Sequence, residues 1–344
     1  DLLMTAKLKI AIVGLGRLGQ RHAEQLAFNT RQCELVAACS PVTAELEWAK
    51  TQLNLPQHAL YTDLSSMLKQ SNIEAVVLVS PTNLHAAQSI EVLQAGKHLF
   101  VEKPLALEAA DCAKVIKVAK QYPELVAMVG FVRRFDTIYL QAYQDIQNQK
   151  IGTPFIVKSQ TCDQNDPDGF FVRFAPSSGG IFMDCSIHDI DLARWFLGKP
   201  KAISVYATGT IALHPGLAQC QDVDNGLAIV NFEGGAKAVF YASRTMPHGH
   251  ETSTEIIGHN GVINIGVGAH LNRNVLRSSN GVSHQVLPDF FARFKEAFQN
   301  EMNSFVGACL GQHQLELEFD DALQATIIGQ AIRESLITGE VVRV

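Results

Sequence analysis

Asp184 and His188 stand four residues apart in Ser177-Ser-Gly-Gly-Ile-Phe-Met-Asp184-Cys-Ser-Ile-His188-Asp-Ile-Asp191-Leu-Ala-Arg-Trp-Phe-Leu-Gly198, an otherwise largely apolar stretch. On a helix that spacing puts a carboxylate and an imidazole on one face, with Asp191 a turn further along. Such a pair suits alcohol oxidation: the imidazole takes the hydroxyl proton while hydride leaves the same carbon for a nicotinamide ring. The pair also reads as a structural hydrogen bond. A third reading makes Asp184, His188 and Asp191 metal ligands, but no further Cys or His cluster completes a site, so no metal is expected. The second candidate is Lys103 in Glu102-Lys103-Pro104, placed where an apolar strand ends. Partial burial there would lower a lysine toward a useful pKa, whereas the plain alternative is a surface lysine before a proline turn.

The elements that must position these groups begin near the N-terminus. Leu8 to Val13 is a short β-branched and apolar run, followed by Gly14, Gly16 and Gly19, which open a helix carrying Arg17 and Leu18. In this G-x-G-x-x-G spacing the first glycine makes the turn, the second admits a pyrophosphate, and the third lets helix and strand pack closely. The helix N-terminus adds unfilled N–H groups and a positive dipole end. An NAD-specific turn usually carries an acid at the end of the next strand. Here that position is Ser40, in Ala38-Cys39-Ser40-Pro41. Without the acid NADP is not repelled, yet no arginine follows Ser40 to hold a 2′-phosphate, and Arg17 is the nearest candidate. NAD is therefore the expected cofactor, with relaxed discrimination against NADP.

Strand and helix signals alternate from residue 7 to 130, which predicts a doubly wound parallel sheet of the Rossmann type, with ligands beyond the carboxyl ends of its strands. From 131 to 344 strand signals follow one another, from Phe155–Thr161 to Val262–Ile265, with turns at Glu233-Gly-Gly235 and His259-Asn-Gly261. They predict a large, mostly antiparallel open sheet in an α+β domain, its C-terminal helix free to pack back on the first domain.

Composition bounds the partners. The 344 residues are 47% hydrophobic and 18% charged, ordinary for a protein with sizeable cores, and the net charge is −6 with no long run of one sign. That argues against nucleic acid or a membrane as the main partner. The seven cysteines form no C-x-x-C pair and read as small core residues in a reducing cytoplasm. No apolar run approaches a membrane span, and Asp1 to Lys7 lacks a signal-peptide core.

Two further stretches offer polar groups. Phe131-Val-Arg133-Arg134-Phe-Asp136 follows the last strand of the first domain, so its arginines can reach the same cleft; for Arg134 a local salt bridge to Asp136 is favoured. His248-Gly-His250 lies in a loop between strand signals, facing either cleft or solvent.

Five motifs in register resemble the Gfo/Idh/MocA family of nicotinamide-dependent oxidoreductases over nearly the whole chain. They are Gly14-Leu-Gly-Arg-Leu-Gly19, Ser80-Pro-Thr-Asn-Leu-His85, Ala95-Gly-Lys-His-Leu-Phe-Val-Glu-Lys-Pro104, Gly130-Phe-Val-Arg-Arg-Phe-Asp136 and Gly179-Gly-Ile-Phe-Met-Asp-Cys-Ser-Ile-His-Asp-Ile-Asp191. Within that family the chain looks most like the inositol 2-dehydrogenases. The resemblance implies oxidation of one secondary hydroxyl of a polyol, myo- or scyllo-inositol, to an inosose. It implies Lys103, Asp184 and His188 as the catalytic trio, with His188 the proton acceptor. It also places Ser80, Thr82, Asn83, His85 and Glu102 along the cofactor, and Arg133, Asp166 and His250 at substrate-contacting positions. A homotetramer is expected from the same resemblance. A sugar dehydrogenase of the same family is the alternative enzyme; a nucleotide sensor without catalysis is disfavoured by an intact Lys103, Asp184 and His188.

Overall fold

A computed structural model describes residues 6–266, 268 and 270–344. They form two compact units, one running up to Val132 and including Phe298–Gln324, the other made of Arg133–Ala297 and Ala325–Val344.

The first unit alternates β1 (Leu8–Val13), α1 (Arg17–Glu24), β2 (Cys33–Cys39), α2 (Thr43–Gln52), β3 (Leu60–Tyr61), α3 (Leu64–Leu68), β4 (Ala75–Leu78), α4 (Thr82–Gln94), β5 (His98–Glu102), α5 (Ala109–Ala119) and β6 (Ala127–Gly130). The six strands are all parallel, in the order β3-β2-β1-β4-β5-β6. This is the doubly wound order, whose switch point falls between β1 and β4. The central strands are continuous apolar runs because helices cover both faces; all four residues of β4 are buried. Local chemistry sets the helix ends. Asp63 caps α3 by accepting from the Ser66 amide at 2.8 Å, and α4 stops before Gly96 at φ +72°.

The second unit opens with α6 (Thr137–Gln147) and β7 (Pro154–Gln164), followed by three short helices, α7 (Phe170–Ser178), α8 (Ile181–Asp184) and α9 (Ile187–Phe196). Then come β8 (Ala202–Thr210), β9 (Asn225–Phe232), β10 (Lys237–Met246), β11 (Glu251–Gly258), β12 (Gly261–Ile265), a small hairpin of β13 (Leu276–Ser278) and β14 (Gly281–Ser283), the long helices α10 (Phe290–Cys309) and α11 (Phe319–Thr338), and β15 (Val342–Arg343). Seven strands make one sheet in the order β12-β11-β7-β10-β9-β8-β15. Every pairing in it is antiparallel except β7 with β10. Alternate residues of β9 and β11 are buried, as expected for a sheet with one covered face. Gly234 and Gly235, both at positive φ, turn β9 into β10.

The second unit does not take in the whole of 131–344, since residues 298–324 belong with the first. The physical reason lies in their aromatic side chains: Phe298 packs edge-on to His22 at 5.6 Å between ring centres, and Phe305 to Phe100 at 5.7 Å. Nor is 181–196 a single helix. Ser186 N reaches back five residues to the Ile181 carbonyl at 3.4 Å, which breaks the regular ladder between α8 and α9. Among the described residues all seven cysteines are free thiols, five of them buried. Burial pushes Cys39 and Cys162 each up to about 12, which makes them inert core residues. No helix of the described residues is long and apolar enough to cross a membrane.

Candidate active site

The glycine turn joins β1 to α1 at the switch point. Gly14 sits at φ +89°, and a Cβ there would lie 2.4 Å from the Val79 carbonyl oxygen. A Cβ on Gly19 would lie 2.0 Å from the Gly14 carbonyl oxygen, so this glycine is what lets the helix close on the strand. A Cβ on Gly16, by contrast, would meet nothing within 4 Å. The turn is thus tight at both ends and open in the middle, where a ligand's phosphates can approach backbone. Gly16 caps α1 without a side-chain hydrogen bond and the first turn carries no acid, so the helix N-terminus is left for an anion. Arg17 and Leu18 begin this helix, with Arg17 exposed.

The ends of β4 and β5 are tied together by His85. Its Nδ1 lies 2.8 Å from the Pro104 carbonyl and its Nε2 2.7 Å from the Ser80 carbonyl. Burial pushes this ring's pKa down, against the pull of the two carbonyls. Ser80 Oγ donates to Gln88 at 2.5 Å, Thr82 is half-buried and Asn83 exposed at the start of α4. Lys103 precedes Pro104 through a cis peptide bond and is half-buried. Glu102 is 5% exposed. One of its oxygens lies 2.7 Å from His22 Nε2, and the other accepts from the Lys103 amide at 3.0 Å. Gly130, its partner across β6, makes this possible, since a Cβ there would lie 3.0 Å from the Glu102 carboxyl. Beside this pair Glu301 is fully buried with neither oxygen hydrogen-bonded. Burial, then the charge of Glu102, holds the Glu301 carboxyl well above the usual carboxylate range.

In the second unit, Asp184 ends α8 and His188 lies in the first turn of α9. The Arg244 guanidinium, at the end of β10, forms an ion pair with Asp184. His188 is 5% exposed, its ring 5.3 Å from that of Phe290. His250 packs edge-on to the same Phe290 at 5.8 Å. Its Nδ1 lies 3.0 Å from Asp163, and its Nε2 bonds the Thr252 hydroxyl. Desolvation works to raise the Asp163 carboxyl, but the His250 hydrogen bond and the charges of His250 and Arg244 outweigh it and hold it low.

Several residues expected to touch ligand are held by internal ties. Arg133 is 1% exposed and donates to Asp189 at 2.9 Å and Thr161 at 2.7 Å. His250, at 0% exposed with both nitrogens engaged, is held in the same way. Glu102 and His85 position the Lys103–Pro104 segment from behind. Asp166 accepts from the Asp168 and Phe170 amides at 2.9 and 3.2 Å, shaping the turn into α7. Arg134 does not pair with Asp136; it grips Asp191 at 2.7 and 2.8 Å, while Asp136 holds Arg293. Asp191 is therefore a structural counter-ion, and the reading of Asp184, His188 and Asp191 as one ligand face falls away. His248 is the solvent-facing member of its pair and lies 3.2 Å from Glu251. Asp163, Asp189, Arg244 and Glu301 were not legible as site residues; only the charged Arg244, interrupting an alternating strand, carried a signal.

Comparison with known proteins matches residues 8–131 to a family described as oxidoreductases with an NAD-binding Rossmann fold, and residues 139–264 to the GFO/IDH/MocA C-terminal domain. The chain belongs to the Gfo/Idh/MocA family. Its first domain is accordingly an NAD-binding Rossmann domain, and the open backbone at Gly16 with the unfilled α1 N-terminus fits that cofactor. This family member is 37% identical over 302 residues to the scyllo-inositol 2-dehydrogenase (NAD(+)) of Bacillus subtilis, 88% of this chain and 86% of the relative. It is 29% identical over 331 residues to the myo-inositol 2-dehydrogenase of Thermotoga maritima, 96% of each chain. It also resembles the crystal structure of scyllo-inositol dehydrogenase from Lactobacillus casei with bound NAD(H) and scyllo-inositol. The TM-score is 0.93 and the identity 35%, covering 98% of this chain and 99% of that one.

Proposed function

We propose that this oxidoreductase converts one secondary hydroxyl of an inositol, scyllo or myo, to the inosose with NAD. The observation that carries the reading is the likeness over 98% of the chain to a scyllo-inositol dehydrogenase holding both NAD(H) and its polyol. Bound NAD supplies the hydride acceptor. In the proposed mechanism His188 takes the hydroxyl proton. Asp184, its charge balanced by Arg244, and Lys103, its backbone amide fixed by Glu102, orient the reacting hydroxyl. Gly14, Gly16, Arg17, Leu18 and Gly19 would hold the pyrophosphate, with Ser80, Thr82 and Asn83 along the rest of the cofactor.

The same reading includes a cytoplasmic homotetramer. Its support is the outer face of the second sheet, where Ile203, Tyr206, Leu227 and Ile229 are each 40–50% exposed, an apolar patch of the kind that self-association covers. Light scattering on the purified protein would show a tetramer; a monomer refutes that part.

The deciding experiment is the initial rate of nicotinamide reduction with scyllo-inositol, myo-inositol, D-chiro-inositol and glucose, each with NAD and with NADP. Selective turnover of an inositol is expected, and H188N should lower kcat by a factor of about 100 or more with NAD affinity retained. Turnover of glucose alone would assign a sugar substrate. No turnover of any polyol by a protein that binds NAD would favour a sensor.

A further inference from the structure

Ser40 occupies the place where an NAD-reading strand end usually carries an acid, but a carboxylate is present there all the same. Ser40 is 1% exposed, and its hydroxyl donates to Glu45 Oε2 while accepting from the Val42 amide at 3.1 Å. Glu45 lies in the first turn of α2 and is half-buried. Its Oε1 makes no hydrogen bond to protein among the described residues. The strand end that carries this pair is fastened to the glycine turn, since Gly14 N donates to the Cys39 carbonyl at 2.9 Å.

An aspartate at position 40 would extend its carboxyl oxygens one bond beyond the Ser40 hydroxyl. In this chain the Glu45 carboxylate lies within hydrogen-bond reach of that hydroxyl. We propose that Glu45, docked on Ser40, is the acid that accepts the adenosine ribose hydroxyls and discriminates against NADP. A carboxylate accepts two hydroxyls of a diol at once, and the positive N-terminal end of α2 favours its ionised form. A 2′-phosphate at that position would meet like charge and find no donor in Ser40, whose one proton is already engaged. The chain would then prefer NAD strongly, against the relaxed discrimination expected from Ser40 alone.

The inference rests on the NAD-binding domain and not on the polyol, so its test uses cofactor binding without substrate. Calorimetric titration of E45Q with NAD and with NADP should show NAD bound about tenfold more weakly and NADP about threefold more tightly, since a hydrogen bond to a charged acceptor accounts for roughly one decade in affinity. The double variant S40D/E45Q should recover the wild-type preference. An unchanged NAD-to-NADP ratio in E45Q overturns the proposal, as does equal weakening of both cofactors, which would make Glu45 merely structural. A wild-type protein that binds NAD but oxidises no inositol would refute the proposed reaction and leave this assignment standing.

Discussion

Replacing Glu301 with glutamine isolates the energetics of a buried carboxyl. Glu301, Glu102 and His22 each bring one polar atom to within 4.8 Å of the others, and only Glu102 and His22 are hydrogen-bonded to each other. Burial and the charge of Glu102 raise the Glu301 carboxyl in the folded state. In the unfolded chain it titrates near pH ~4.3. Above that pH the native state therefore holds a proton that the unfolded state has released. Stability falls with rising pH at up to about 1.4 kcal/mol per unit, until Glu301 ionises in the fold as well. Glutamine keeps the volume, keeps a donor toward Glu102 and cannot ionise. The unfolding free energy of E301Q minus that of wild type should therefore grow with pH above ~4.3, by at most about 2.7 kcal/mol between pH 5 and 7. For a unit of this size that is roughly 5–11 °C in Tm. Melting both proteins in half-unit steps from pH 4.5 to 8 reads the difference directly, and titrating groups that do not interact with Glu301 cancel in it. A difference that is flat, or that shrinks as pH rises, would refute the neutral carboxyl and the sign of the argument.

The glycines of the turn should separate two roles. G14A forces a side chain to φ +89° against the Val79 carbonyl and should cost at least about 1–2 kcal/mol of stability as well as NAD binding. G16A, in open space at ordinary φ, should leave Tm nearly unchanged while weakening NAD tenfold or more; the reverse pattern, by melting and calorimetry, would refute the assignment. D189N leaves the 1%-exposed Arg133 without its counter-ion and should cost about 3–5 kcal/mol in urea unfolding. R133M/D189L should recover much of that loss, and strictly additive single effects would show that the pair is not coupled.

What was legible in the sequence was whatever a short window encodes. Val13 to Gly14 and the glycine turns between strands are decided by neighbours a few residues apart, and they stand in the fold where the pattern put them. Polar partnerships are decided by tertiary contact. Arg134 and Asp136 look like a pair because they are two residues apart, yet each finds its partner far along the chain, Asp191 and Arg293. The same holds for Ser40: its type suggests a missing acid, and only the turn into α2 reveals Glu45 beside it. Spacing likewise predicted one helix through Asp184 and His188. The break after Asp184 reflects a shifted backbone bond at Ser186, for which no residue type in the stretch gives a signal.

The ion pairs that the sequence hid also bear on how His188, the proposed proton acceptor, is held. Every residue of α9 from Ile187 to Phe196 is buried, so packing alone leaves its rotation about its own axis weakly specified, because apolar contacts are non-directional. Asp189 and Asp191 lie about 200° apart around a helix, and the adjacent arginines 133 and 134 bind one each. Turning the helix in either sense pulls at least one carboxylate from its guanidinium, at a cost of several kcal/mol for a buried charge left alone. His188, one residue before Asp189 and three before Asp191, inherits that orientation. The two arginines thus fix the angle at which the proposed proton acceptor is presented.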